Sequence, residues 1–300
     1  MGESHQPLDL ESAKEGKELS DHQQSIFTII SNLLQPDGGL DPIEAANQVD
    51  DLVPNQSEKE AEDFLWSFWN LLIKIVKLVP HHHEGQDLLV QLLGYLLNVP
   101  GRPLVIWGVS ILDVDENGHS SSDEQAETSL WKDFPLLGPV MRESWQPPTT
   151  THGAPDPDAA EKWINLNSFA ARLRSLGYTH WHNFPVWELR AALEEEIQDQ
   201  DVLAFRLAVA EQWIVHAGQA IYIHVTMEPA EEESRTMKPG PLYEGKAKLD
   251  LERWGFWKNR LAELGKQSSG SIATQSTSLL DSFDDIESRA FKPSDERYVA

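Results

Sequence analysis

Apolar residues recur along most of the chain at spacings of three and four, which is the period of one face of an α-helix. Residues that begin or end helices bound these stripes, such as the capping-box sequence Ser20-Asp-His-Gln23 before the first and Gly265 after the last. About eight or nine helices are predicted, with a possible short strand at Leu104 to Val109 and no convincing β-hairpin. The pattern therefore predicts an all-α fold.

One segment is apolar around nearly its whole circumference. Between Phe64 and Val79 the polar residues follow a single narrow stripe, with spacings of three, four and three: Ser67, Asn70, Lys74 and Lys77. A helix with so little polar surface must be covered by neighbouring helices. We therefore expect this helix to lie at the centre of the fold.

Polar segments with few apolar residues lie at both ends of the chain. They predict a disordered N-terminal tail at residues 1–19 and a disordered, acidic, Ser/Thr-rich tail at 266–300. The helical pattern occupies residues 20–265, with a linker-like stretch from Pro147 to Pro157. This length permits one large helical domain or two intimate ones; we predict a single multi-helix domain over 20–265.

The composition limits the partners and the compartment. The formal net charge of −25 repels nucleic-acid phosphates and anionic membrane surfaces. The chain has no cysteine, so it offers no disulfide, thiolate nucleophile or sulfur-ligated zinc. Residues Met1 to Leu19 lack the apolar core of a signal peptide, and Phe64 to Val79 is too short to span a membrane. These features predict a soluble protein of the cytoplasm or nucleus.

A turn followed by an aromatic helix is the most distinctive motif: Pro239-Gly-Pro-Leu-Tyr-Glu-Gly245, then Leu251-Glu-Arg-Trp-Gly-Phe-Trp-Lys258. Four other segments accompany it in order along the chain: Ile75 to Val90 with its Pro-His turn, Asn167 to Leu173, Trp187 to Leu193, and Trp213 to Gly218. Together these motifs resemble the fungal family known as domain of unknown function 3632, over about residues 60–265. The resemblance implies a fold, and the family supplies no catalytic residue to carry over.

Histidine-rich turns are the first candidates for metal ligands. Adjacent imidazoles such as His81-His82-His83 do not all point one way, and histidine is favourable at a helix C-terminus, so a structural role is favoured. His180 and His182 lie on one side of an extended segment, but no carboxylate ligand is marked by spacing. We predict no cofactor and no metal at either turn.

A calcium site is the second candidate. Asp113, Asp115, Asn117 and Glu124 match the spacing of a calcium-binding loop. An extended apolar segment precedes the loop where an entering helix is required, and no paired loop is present. A chance acidic turn is the favoured interpretation, and calcium binding remains a hypothesis.

Acidic runs and tryptophans complete the candidates. Glu194 to Glu196 and Glu231 to Glu233 are interpreted as solvated surface, because consecutive acids point in different directions. The 11 tryptophans are interpreted mainly as core residues, since Trp163, Trp254 and Trp257 fall on apolar helical stripes.

No recognisable catalytic motif is present, and the sequence does not indicate an oligomeric state. The leading hypothesis is a non-enzymatic protein-interaction module that contacts other proteins through its acidic surface or tails. The alternative is a small-molecule binder or enzyme whose pocket lies between helices and is lined by aromatic and histidine side chains.

Overall fold

The computed structural model describes residues 6–14, 18–54, 57–99, 105–106, 109–110, 130–150, 153–227 and 233–290. The chain divides into two compact units, Met1–Pro147 and Pro148–Ala300. The boundary falls at the start of the proline-rich stretch that the sequence marks as linker-like. Each unit is described separately below.

The described residues contain ten α-helices, near the eight or nine predicted, and the all-α class is confirmed. The first unit contains α1 (Asp21–Leu34), α2 (Pro42–Asp51), α3 (Glu58–Leu78), α4 (Gly85–Leu96) and α5 (Leu137–Ser144). The second contains α6 (Pro157–Ser175), α7 (Asn183–Leu193), α8 (Gln200–Met227), α9 (Leu251–Gln267) and α10 (Gly270–Ala290).

Short elements complete the description. Two 3-10 helices span Glu11–Lys14 and Arg235–Met237. Strands β1 (Val105–Ile106) and β2 (Val109–Ser110) pair antiparallel, with Val105 opposite Ser110. The possible strand predicted at Leu104 to Val109 is thus a pair of two-residue strands among the described residues.

The helix start predicted at Ser20 is confirmed, and side-chain caps begin other helices in the same way. Ser20 makes both hydrogen bonds of its capping box with Gln23. Asp41, Asp156 and Asp250 each accept backbone N–H groups of the first helical turn. Such caps satisfy donors that the helix itself leaves without partners.

An aromatic cluster lies at the core of the first unit, around α3. Phe68, Trp69 and Trp131 are fully buried and pack edge to face, with ring centroids 4.7–6.0 Å apart. The indole N–H of Trp69 donates to the Pro135 carbonyl at 2.6 Å, and that of Trp131 donates to Asp50 at 2.8 Å. The nearly all-apolar helix is therefore covered, as the sequence predicts.

The second unit is arranged around α8, which contacts α6, α7, α9 and α10. Trp213 on α8 donates its indole N–H to Asn167 on α6 at 2.8 Å, and both side chains are fully buried. Helix α6 ends at a glycine cap, where Gly177 has a positive φ of 72° and donates to the Arg174 carbonyl.

Disordered tails are predicted at 1–19 and 266–300. This prediction is wrong for residues 270–290 and for the short helix Glu11–Lys14. Residues 270–290 form α10, whose buried apolar residues follow a helical stripe: Ile272, Leu279, Phe283 and Ile286. Phe283 contacts the Trp254 ring at 4.3 Å, and this burial outweighs the polar Ser/Thr composition. At the other end, Leu10 and Ala13 are buried, and the Gln35 side chain exchanges hydrogen bonds with the Leu8 backbone.

Within the described ranges, no helix combines the length and the apolarity needed to cross a membrane.

Candidate functional site

A buried ion pair joins the end of α7 to the start of α9, the aromatic helix that follows the turn at residues 239–245. Arg253 lies in the first turn of α9, and Glu194 is the residue at the C-terminal end of α7. Both side chains are 0% exposed, and the guanidinium binds the carboxylate through two bonds, Nε to Oε1 at 2.7 Å and Nη2 to Oε2 at 2.9 Å. This bidentate geometry is the strongest form of the interaction.

Further hydrogen bonds satisfy both members of the pair. Glu194 also accepts from the Trp257 indole at 2.7 Å and from the Gly240 backbone N–H at 2.8 Å. Arg253 donates from Nη1 to the Met237 carbonyl at 2.7 Å. Because a buried charge is tolerated only when its hydrogen-bonding capacity is used, the pair and its neighbours form one structural unit.

The turn is fixed to the end of α7 by its backbone. The Leu242 N–H donates to the Glu194 carbonyl at 3.0 Å. A Cβ atom on Gly240 would lie 2.6 Å from that same carbonyl oxygen, so no side chain fits at this position. The glycine is therefore explained by the close approach of two backbone segments.

Tyr243 lies over this ion pair. Its ring is 5.3 Å from the Arg253 guanidinium and 5.1 Å from the Phe256 ring, and its side chain leaves no room for a Cβ on Gly245. Tyr243 is 5% exposed, and its hydroxyl has no hydrogen-bond partner within the described structure. Burial raises the pKa of the phenol, and the carboxylates of Asp250 and Glu252 raise it further. The hydroxyl is therefore protonated at physiological pH.

An open groove of about 690 Å³ runs beside Tyr243. Its lining residues come from the turn and from one face of α9: Leu242, Tyr243, Glu244, Gly245, Leu251, Glu252, Gly255, Phe256 and Asn259. We call this surface the Tyr243 groove. Leu251 is 49% exposed on this surface.

A second cavity, of about 440 Å³, lies in the first unit. Helices α1 and α3 supply most of its walls, including His22, Glu60, Asp63 and Phe64. His22 contacts the Phe64 ring edge to face at 6.4 Å. The cavity holds titratable groups beside an apolar floor.

The turn at His81 to His83 has a structural role at its best-buried member. His83 is 4% exposed, its Nδ1 accepts the Gly85 N–H at 2.9 Å, and its Nε2 lies 3.3 Å from the Gln6 carbonyl. Nowhere in the described ranges are three or more His, Asp or Glu side chains placed to hold a metal ion.

The two histidines of the second turn, His180 and His182, lie in different surroundings. The His182 ring stacks on His224 of α8 at 4.1 Å, and its Nδ1 lies 3.5 Å from Nη2 of Arg174 on α6. Burial, together with the charges of His224, Arg174 and His180, lowers the pKa of His182 to about 4. His182 is therefore neutral near pH 7, whereas His180 is exposed.

The solvated interpretation of the acidic run at Glu194 is wrong. Glu194 is fully buried, whereas the next residue, Glu195, forms an ion pair with Arg190 at 3.1 Å. The run ends α7, so its members diverge, as expected, but the first of them turns inward. The calcium-loop residues Asp113, Asp115, Asn117 and Glu124, and Glu231 and Glu232 of the second acidic run, lie outside the described residues.

The core role predicted for tryptophans is confirmed at the three named positions. Trp163, Trp254 and Trp257 are at most 3% exposed. All three also donate an indole N–H to a carboxylate: Trp257 to Glu194 at 2.7 Å, Trp254 to Glu287 at 2.9 Å and Trp163 to Glu188 at 3.3 Å.

Three residues of the site were missed by sequence reasoning: Glu194, Arg253 and Tyr243. Arg253 carried a usable signal, because it precedes Trp257 by four positions and so shares the buried face of α9. The pairing of Arg253 with Glu194 and the burial of the Tyr243 hydroxyl depend on contacts between distant segments. No local spacing in the sequence marks either of them.

The helices define an all-α protein. The buried ion pair of Glu194 and Arg253, with its hydrogen-bonded neighbours, gives most of the distinctive turn-and-helix motif a structural role. The model of the family described as "Protein of unknown function (DUF3632)" matches residues 69–261, and the chain belongs to that family. The match contains the ion pair and the Tyr243 groove, and it does not extend to the cavity at His22. No curated protein and no solved structure matches the chain.

Proposed function

We propose that the chain is a non-enzymatic protein-interaction module and that a short segment of a partner protein docks in the Tyr243 groove. One observation carries the proposal: an open groove beside Tyr243 is lined by apolar and acidic side chains, among them the exposed Leu251 and the partly exposed Phe256. A docked peptide brings both apolar side chains and backbone polar groups to such a surface.

The shape of the groove favours a peptide over a small molecule. Small-molecule sites enclose most of their ligand, roughly 70–90% of its surface. The Tyr243 groove is open along one face of α9, and Leu251 and Phe256 lie along it as apolar contacts. An extended or helical segment covers such a surface more completely than a compact ligand.

The charge of the chain supports a protein partner. A net charge of −25 disfavours nucleic acid and anionic membranes as binding surfaces. This charge and the absence of cysteine support a location in the cytoplasm or nucleus.

A substitution at Gly255 tests docking in the Tyr243 groove directly. Gly255 lines the groove, and a Cβ built on it meets no atom within 4 Å, so we expect the side chain of Gly255→Trp to obstruct the groove. Gly138 in the first unit is equally open and supplies the matched control, Gly138→Trp.

The experiment selects random linear peptides on the full-length protein and measures the affinities of the recovered peptides. We expect peptides that lose about tenfold or more in affinity for Gly255→Trp, equivalent to about 1.4 kcal/mol, and bind Gly138→Trp as they bind the wild type. Recovery of no binder, or of binders indifferent to Gly255→Trp, overturns the proposal.

The cavity at His22 supports the alternative, a small-molecule binder. It is more enclosed in character than the groove, and it combines an imidazole, two carboxylates and the buried Phe64. A thermal-shift screen with metabolites and metals tests this alternative, because a ligand that binds only the folded form raises the melting temperature. Calcium belongs in the same screen, as a test of the loop hypothesis at Asp113 to Glu124.

A further inference from the structure

We infer that the partner segment carries a lysine or arginine beside an apolar residue, and that this cation binds against the carboxylates of Glu244 and Glu252 in the Tyr243 groove. The inference rests on the proposed docking function and names the chemistry of the occupant.

The charged side chains that line the groove are all acidic. Glu244 and Glu252 are both exposed, and the lining contains no lysine, arginine or histidine. Among the described residues, neither carboxylate forms an ion pair. An incoming cation therefore meets two like-charged groups on one surface, and neither is neutralised by an ion pair.

The cations nearest in sequence are mostly engaged elsewhere. Arg253 is neutralised by Glu194 at 2.7 Å. Lys248 lies 3.4 Å from Asp250, and Arg260 lies 3.1 Å from Glu263. Lys246 is exposed and does not line the groove. The local charge of the groove surface is therefore negative.

The Tyr243 hydroxyl is not the contact for the cation. Its oxygen is buried and has no partner in the described part of the chain, so a donor in the groove does not reach it. Burial raises the pKa of this hydroxyl, so it does not add a third negative charge.

The aromatic part of the groove suits the rest of a basic side chain. Phe256 packs against Tyr243 at 5.1 Å and presents a partly exposed ring beside the two carboxylates. The alkyl stem of lysine or arginine packs on such a ring, and its charged head is attracted to the ring face. An adjacent apolar residue contacts Leu242 or Leu251.

Other occupants fit the same surface poorly. A phosphorylated or acidic segment meets repulsion from Glu244 and Glu252. A second copy of this chain carries the same charge of −25, so association through this groove opposes like charges. A basic segment is the occupant that the charges favour.

The test uses the peptides selected on the full-length protein and compares two variants of equal net charge. Glu244→Gln with Glu252→Gln neutralises the groove. Glu161→Gln with Asp281→Asn removes two exposed charges of the same unit that do not line it. The comparison separates local recognition from the general attraction of an acidic protein for basic peptides.

We expect selected peptides enriched in lysine or arginine over the starting library. We expect the groove variant to bind them about tenfold more weakly and to lose most of the salt dependence of binding, with a change of less than about twofold in the control. Peptides blocked by Gly255→Trp but without basic enrichment, and bound equally by the groove variant, overturn this inference and leave the docking function standing. A selection that yields no groove-dependent peptide overturns both.

Discussion

Removing the carboxylate of Glu194 is the strongest test of the buried ion pair between Glu194 and Arg253. Glu194→Ala leaves Arg253 in the core with its charge uncompensated. It also removes the acceptor of two other donors, the Trp257 indole and the Gly240 N–H. Truncating one member of a buried ion pair costs about 3–5 kcal/mol, because the remaining charge has lost its partner.

The structure places this substitution near the middle of that range. Four hydrogen bonds of 2.7–2.9 Å end on the carboxylate, two of them from the guanidinium. Their loss is partly offset because water can enter the vacated space and because Arg253 keeps its bond to the Met237 carbonyl. We expect the free energy of unfolding to fall by about 4 kcal/mol.

The neighbouring residue supplies the control. Glu195 is 36% exposed and forms a single bond of 3.1 Å with Arg190. Glu195→Ala makes the same change in net charge and size, and we expect it to cost less than about 1 kcal/mol. Urea unfolding at neutral pH, followed by circular dichroism, compares the two variants. If Glu194→Ala lies within about 1 kcal/mol of Glu195→Ala, the reasoning from burial is refuted.

Four further substitutions test separate parts of the structure. Tyr243→Phe removes a buried hydroxyl without a partner, so we expect the free energy of unfolding to rise by about 1 kcal/mol in urea unfolding; lower stability would contradict an unsatisfied hydroxyl. His182 has a pKa of about 4 in the folded chain and an ordinary value of 6.5. As the pH is lowered from 6.5 to 4, the unfolded chain takes up this proton first, so the stability of the wild type falls. His182→Gln removes this dependence, worth about 1 kcal/mol after allowance for partial exposure, and parallel urea-unfolding profiles of the two proteins against pH would refute it. Phe283→Ala is expected to cost about 3 kcal/mol in urea unfolding, whereas a solvated tail at 266–300 requires no change. Gly240→Ala forces the turn away from the Glu194 carbonyl and is expected to cost about 2 kcal/mol by the same measurement, with wild-type stability as the contradictory result.

The parts of the fold that the sequence predicts are those set by neighbouring residues. Ser20, Asp41 and Asp250 mark helix starts because a side chain caps the backbone within three positions. The all-α class follows from the period of the apolar stripes. The role of α3 follows from the narrowness of its polar stripe, which leaves most of its circumference apolar.

The errors arise where composition and period disagree or where contacts are distant. The segment of α10 has a Ser/Thr-rich composition typical of disorder, yet Leu279, Phe283 and Ile286 recur at the helical period and are buried. Glu194 and Arg253 are separated by 59 residues, so no local spacing indicates that they bind each other. An acidic residue at the end of a helix has the same sequence signature whether it is solvated or buried.

The glycines of the distinctive motif separate what the fold requires from what the groove requires. Gly240 and Gly245 are explained by packing, because a Cβ on either would collide with Glu194 or Tyr243. Gly255 has no such explanation, since its neighbours leave open space and glycine inside a helix costs about 0.5–1 kcal/mol relative to alanine. A side chain there would project into the groove that Phe256 and Leu251 border. The fold alone would be more stable with a residue other than glycine at 255, whereas an accessible groove benefits from its absence.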